Sequence, residues 1–156
     1  MMMTTMGVRT PAFYLDLEAL QRKRIEMLND EPVLIVYGEG ESREGIIATL
    51  HKCDLGQASC STLDDARSLL TRRHFCIVFC SDTLPDGDFR SVIRAARSIP
   101  VIVLSRLAEW EPYLAAINAG AFDYIACPPD LVETERILWF ALCESSRIHR
   151  TAQVTA

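Results

Sequence analysis

The chain contains no C-x-x-C pair, and its three histidines, His51, His74 and His149, stand far apart. That spacing supplies no closed set of thiolate and imidazole donors for a structural zinc, so no metal and no cofactor is expected. There is no apolar run near the roughly 20 residues of a membrane span. Nor does an apolar stretch suited to a signal peptide follow Met1-Met2-Met3. A cytoplasmic protein that uses no membrane is expected. Clustered positive charge is also missing: 16 Lys and Arg stand against 21 Asp and Glu, a formal charge of −5. A duplex-binding surface needs basic groups gathered against phosphates, so no nucleic-acid partner is expected. The densest basic run, Arg22-Lys23-Arg24, is flanked by Glu18 and Glu26 and reads as a solvated helix face. Internal repeats and low-complexity segments are absent as well.

The 156 residues are enough for one domain with a real core and too few for two. Nearly half are apolar. The six cysteines (Cys53, Cys60, Cys76, Cys80, Cys127, Cys143) fit reduced thiols used as small core hydrophobes.

The apolar pattern divides the chain into a tail and helix over residues 1–31, a domain over 32–148 and a tail over 149–156. Tyr14 to Asn29 reads as a helix between Pro11 and Pro32, with Leu17, Leu20, Ile25 and Leu28 as its apolar positions. From Pro32 short apolar runs alternate with amphipathic stretches. Strands are expected at Val33–Tyr37, Gln57–Ser61, Phe75–Cys80, Val101–Leu104 and Tyr124–Ala126. Helices are expected at Ser42–His51, Thr62–Arg72, Phe89–Arg97, Ala108–Asn118 and Leu131–Arg147. Thr62 is placed as an N-cap, and Gly120 as a left-handed stop. Alternation of this kind gives parallel strands joined by right-handed crossovers, with helices on both faces. The uninterrupted apolar strands agree, since parallel strands are covered on both sides.

In such a sheet functional groups gather at the carboxyl ends of the strands. The first strand delivers Tyr37, Gly38, Glu39 and Glu41. The third delivers Ser81 and Asp82, then Thr83-Leu84-Pro85-Asp86-Gly87; the fourth delivers Ser105, and the fifth Cys127-Pro128-Pro129. Leu84-Pro85-Asp86-Gly87, Val103-Leu104-Ser105, Ala119-Gly120-Ala121-Phe122-Asp123-Tyr124-Ile125 and the proline beyond it follow in order.

With these marks the chain, from about Pro32 to Ile148, resembles the receiver domain of bacterial two-component response regulators. The resemblance implies a flavodoxin-like three-layer α/β sandwich with a five-stranded parallel sheet of order 2-1-3-4-5, here carrying an extra N-terminal helix. It implies a cis bond between Cys127 and Pro128, and it makes Tyr124 the aromatic switch position. It also implies four chemical parts, three of which the sequence does not supply. The magnesium-binding acidic pair falls on Tyr37 and Gly38, the phospho-acceptor aspartate on Ser81, and the lysine on Cys127; the hydroxyl position is kept as Ser105. Without two carboxylates there is no hard-cation site, and without the acceptor carboxylate there is no acyl phosphate. Cys127 brings no fixed positive charge. The expectation is a pseudo-receiver that is not an enzyme and signals by protein contact without phosphorelay chemistry.

Three other readings start from particular residues. Glu39 and Asp82, each a step away from the usual places, are candidates for a shifted phospho-acceptor site, although one step along a strand reverses the side-chain direction. Cys127 beside the pocket suggests a redox sensor, which needs an exposed thiol of lowered pKa. Gly38-Glu39-Gly40 suggests a nucleotide-binding enzyme, but Arg43 stands where the third glycine belongs.

The run Ile137-Leu138-Trp139-Phe140-Ala141-Leu142 is apolar nearly all round, more than one sheet contact covers. Trp139 and Phe140, with Trp110 and Tyr113 on the preceding helix, are therefore candidate interface residues for a partner protein or a second copy. Only eight residues follow Ile148, so output is expected through a partner or self-association.

Overall fold

In a computed structural model of the chain, residues 31–38 and 43–155 are described, with side chains through Ile148. The helix expected over Tyr14–Asn29, and Glu39 and Glu41, lie outside the described residues. The elements are β1 (Val33–Val36), α1 (Glu44–Lys52), β2 (Gln57–Cys60), α2 (Leu63–Arg72), β3 (Ile77–Ser81), β4 (Thr83–Leu84), β5 (Gly87–Asp88), α3 (Phe89–Ala96), β6 (Val101–Ser105), α4 (Trp110–Asn118), β7 (Asp123–Ala126) and α5 (Leu131–Thr155). Five strands form one parallel sheet in the order β2-β1-β3-β6-β7. This is the flavodoxin-like α/β architecture the alternating pattern predicts.

The pleat sorts side chains to the two faces of the sheet. Val33, Ile35, Ile77, Phe79, Ile102 and Leu104 meet Ile46 and Leu50 of α1 and Ile137, Leu138, Ala141 and Leu142 of α5. Leu34, Val36, Val78, Cys80, Val101 and Val103 meet Leu63 and Ala66 of α2, Phe89, Val92 and Ala96 of α3, and Ala116 of α4. The domain therefore has two cores with the sheet between them. β1, β3 and β6 are buried throughout, as strands covered on both faces must be. β2 is an edge strand with alternating exposure, which explains its weak apolar pattern.

Local signals set most helix ends. The Thr62 hydroxyl accepts from the Asp65 amide at 3.1 Å and caps α2. Gly120 has a φ of +105°, the left-handed backbone that glycine adopts without strain, and it ends α4. The cis peptide expected at Cys127–Pro128 is present.

Two features depart from the expected elements. The Leu84-Pro85-Asp86-Gly87 stretch is a small antiparallel hairpin, β4 against β5, where the pattern reads as loop. α5 continues to Thr155, past the boundary expected at Arg147.

Candidate functional site

The C-terminal ends of β1, β3, β6 and β7 bring Tyr37, Gly38, Ser81, Asp82, Ser105, Ala126 and Cys127 to one edge of the sheet. Ser81, the last residue of β3, is fully buried. Its position alternates with Ile77 and Phe79, which places it on the α1–α5 side. There its hydroxyl accepts from the Gly38 amide at 3.0 Å. The side chain expected from the sequence at the acceptor position is thus a small neutral hydroxyl that ties two strand ends together.

Gly38 has little room for a side chain. A Cβ placed there would lie 3.0 Å from the Thr83 carbonyl oxygen, tighter than ordinary contact. The neighbouring Tyr37 is half-buried, and the Arg43 guanidinium lies over its ring at 3.7 Å. A magnesium ion needs oxygen ligands at this corner. What the chain presents is a crowded glycine and an aromatic ring already faced by a cation. No group of three or more His, Cys, Asp or Glu suited to a metal occurs among the described residues. These residues do not fit the ion that the receiver fold implies.

Asp82 follows one step later, and the pleat turns its side chain to the opposite face. Its amide pairs with the Leu104 carbonyl at 2.9 Å, so β3's ladder to β6 runs one residue further. Ser105 shares that face, continuing the alternation of Val101 and Val103. The two side chains meet: the buried Ser105 hydroxyl donates to Asp82 Oδ2 at 2.7 Å. Ser105 Oγ also accepts from the Leu107 amide at 3.1 Å. Thr83 Oγ1 approaches the other Asp82 oxygen at 3.4 Å. The reversal that separates Asp82 from Ser81 is what directs it to Ser105.

Tyr124, the expected switch aromatic, donates its hydroxyl to the Leu107 carbonyl at 2.5 Å. Burial, followed by the charges of Asp82 and Glu109, raises its phenol above the ordinary value, with the Ser105 hydroxyl opposing. Tyr113 meets the Tyr124 ring edge-on at a centroid distance of 6.1 Å and stacks on Trp110 at 5.4 Å. Trp110 is 69% exposed.

Cys127 sits half-buried against the α1–α5 core, and its amide donates to the Ser105 carbonyl at 2.6 Å. Three other thiols are poorly suited to redox chemistry. Burial pushes Cys60 up to about 11 and Cys76 up to about 12, and it also raises Cys53. A thiol held protonated is a weak nucleophile.

The interface candidates separate. Phe140 is 58% exposed, with the Arg136 guanidinium 5.9 Å from its ring. Trp139, expected at an interface, is instead half-buried against the α1–α5 core. It stands about 100° further round the helix from Phe140 and faces α1's side of the molecule. α4 and α5 lie on opposite faces of the sheet, at the end that carries β7.

Sequence reasoning did not find Asp86. Its carboxylate accepts from the Leu63 amide at 2.7 Å and the Asp64 amide at 3.0 Å, capping α2 from the hairpin. Those two bonds hold its carboxyl below the ordinary range. The Asp86-Gly87 turn signal was visible in the sequence, but its helix partner lies 23 residues away.

No protein-family model matches the chain. Among curated proteins it is 28% identical over 119 residues to the response regulator protein PilR of Pseudomonas aeruginosa, covering 74% of this chain and 27% of that one. It is 33% identical over 113 residues to the KDP operon transcriptional regulatory protein KdpE of Escherichia coli, covering 70% of this chain and 50% of that one. The chain spans half or less of the length of the curated relatives named here. A putative response regulator from Chloroflexus aurantiacus superposes with a TM-score of 0.67 at 18% identity, over 72% of this chain and 98% of that one. The receiver domain of a Pseudomonas aeruginosa sensor histidine kinase, solved with magnesium in its active-site cleft, gives 0.63 at 23% identity, over 72% and 97%. The class is thus a flavodoxin-like α/β domain with its site at the strand ends. More particularly, the chain is similar over this region to response regulators and has the fold of their receiver domains. No helix among the described residues is long and apolar enough to cross a membrane.

Proposed function

We propose that this receiver domain signals by protein contact and not by accepting a phosphoryl group, and that it is not an enzyme. The observation that carries the reading is the buried 3.0 Å bond from the Gly38 amide to the Ser81 hydroxyl. It fills the acceptor position with a group that cannot form an acyl phosphate. Crowding at Gly38 supports the same reading, because no carboxylate fits there without moving Thr83. The contact surface is the side bordered by α4, β7 and α5. It offers Trp110 and Phe140 as exposed aromatic anchors. Both charge signs are present on it, Glu109, Glu111 and Asp123 against Arg136, which suits pairing with a second copy of the chain.

Two measurements on the full chain test the proposal. Treatment with acetyl phosphate and Mg²⁺, followed by intact mass spectrometry, is expected to leave the protein without a phosphate adduct. Sedimentation equilibrium is expected to detect self-association that Trp110→Ala weakens. An acid-labile phosphate on Asp82 would favour a shifted acceptor site, for which the Ser105 contact is the supporting observation.

A further inference from the structure

Arginines that lie apart in the sequence are gathered by the fold. Residues 66–81 and 89–105, which span most of α2 and α3 and the strands after them, hold six arginines and no aspartate or glutamate. All six, Arg67, Arg72, Arg73, Arg90, Arg94 and Arg97, are exposed. α2 and α3 pack side by side on one face of the sheet. Each joins two parallel strands, so both run against the strand direction and end at the sheet's amino edge. Arg72 and Arg73 are thereby brought to the same end of the domain as Arg94 and Arg97. The acids of this region, Asp64, Asp65 and Asp88, stand at the opposite ends of the helices, where Asp86 caps α2. Arg90 pairs with Asp88, whereas Arg72, Arg73, Arg94 and Arg97 enter no ion pair among the described residues. One cation in the last turn suits a helix dipole; these ends carry two each. Arg97 also bears a backbone cost. Its φ is +57°, the left-handed region that glycine adopts without strain, yet its exposed side chain makes no packing contact that offsets it.

The sheet's carboxyl edge carries the complement. There α4 begins with Glu109-Trp110-Glu111, all three exposed. Glu109 stands at the N-cap without capping the helix through its side chain. Neither glutamate enters an ion pair among the described residues. An indole face receives a guanidinium, and a carboxylate takes one through two parallel hydrogen bonds. We infer that the arginine surface at the ends of α2 and α3 receives the Glu109-Trp110-Glu111 corner of a second copy of the chain, head to tail. The two surfaces lie at opposite edges of one sheet, apart by at least the length of α3, about 12 Å, so they do not meet within a molecule. A contact between unlike patches leaves one of each free at the ends, so copies keep adding unless a ring closes. The chain carries −5 overall, but this arrangement sets opposite charges against each other where the copies touch.

The head-to-tail contact rests on the reading above for Trp110 as an anchor, and it adds the surface that receives it. Sedimentation velocity of the full chain over a range of concentrations is the test. The parent should form species larger than a dimer, fewer of them at high salt. Arg94→Glu combined with Arg97→Glu should weaken association roughly tenfold or more, since like charges then face each other. Trp110→Ala should weaken it by a similar factor. Mixed in equal amounts, the arginine variant and Trp110→Ala each supply the surface the other lacks. A dimer of one copy of each that grows no further is expected. Arg97→Gly supplies an independent sign: it relieves the backbone, so it should melt higher than the parent while associating more weakly. Circular dichroism melts establish that every variant is folded. If the arginine variant associates as the parent does while Trp110→Ala does not, the head-to-tail contact is overturned and the contact reading stands. A parent that stays monomeric throughout overturns both. A monomeric parent that binds a duplex oligonucleotide, with binding lost in the arginine variant, would assign the surface to nucleic acid and overturn the contact as well.

Discussion

The Gly38 amide and the Ser81 hydroxyl, 43 residues apart in sequence, are joined by a 3.0 Å hydrogen bond that water does not reach. A buried donor deprived of its acceptor bears its whole desolvation cost. Ser81→Ala is therefore expected to lower the unfolding free energy by about 1–3 kcal/mol, measured by urea titration with an unchanged slope. A variant as stable as the parent would mean the Gly38 amide has another acceptor.

Gly38→Ala offers a test of sign. At an unstrained position, replacing glycine by alanine stabilises by about 0.4–1 kcal/mol through the unfolded chain. Here the new Cβ would meet the Thr83 carbonyl at 3.0 Å. Net destabilisation of about 1–2 kcal/mol is expected, in the range of overpacked sites. Stabilisation would show that the loop yields and that a larger residue could be admitted.

The two tryptophans should behave as opposites. Trp110, 69% exposed, is expected to cost less than about 0.5 kcal/mol of stability when changed to alanine, as surface substitutions do. Leu138, fully buried on α5, should cost about 2–5 kcal/mol on the same change. Trp139, packed on the α1–α5 core, should fall near Leu138 and far from Trp110. Thermal melts of the three variants decide this.

Asp86 ties the hairpin to the start of α2, and its carboxyl titrates below the ordinary 3.8 because two amides favour the charged form. The contribution is complete above about pH 5 and fades as the pH falls through the depressed value. Asp86→Ala should therefore melt at a lower temperature than the parent at neutral pH. The gap should close in strongly acidic buffer, where both side chains are uncharged. A gap of constant size across that range would assign the effect to something other than the charge.

Thiol labelling addresses the redox reading. Cys60, pushed up to about 11 from 9.0, should react with iodoacetamide about a hundredfold more slowly than an ordinary thiol at neutral pH. Cys76, pushed up to about 12 and buried, should be slower still. Rapid labelling of either residue in the folded protein would contradict this assignment.

Patterns that repeat locally were readable from the residues alone. The five strands of the parallel sheet, the Thr62 cap and the Gly120 stop each depend on neighbours within a few positions. Contacts across the chain were not. Asp82 was visible as an acid one step out of place, but its bond to Ser105 depends on how β3 and β6 register, with Ser81 opposite Leu104. The β4–β5 hairpin was hidden because two-residue strands leave no periodicity to detect. Trp139 and Phe140 are adjacent and equally apolar; only the angle at which α5 lies on the sheet separates the one that packs from the one that faces water.

The sheet also works as a partition between two separately packed interiors. Leu138 belongs to the side with α1 and α5, and Val92 to the side with α2, α3 and α4. Side chains that share no neighbours perturb stability independently, to within about 0.3–0.5 kcal/mol. Losses at Leu138 and Val92 should therefore simply sum, whereas losses at Leu138 and Ile46, which share one interior, should not. Drift in sequence on one face leaves the other face's packing untouched, so the two layers are free to evolve at different rates.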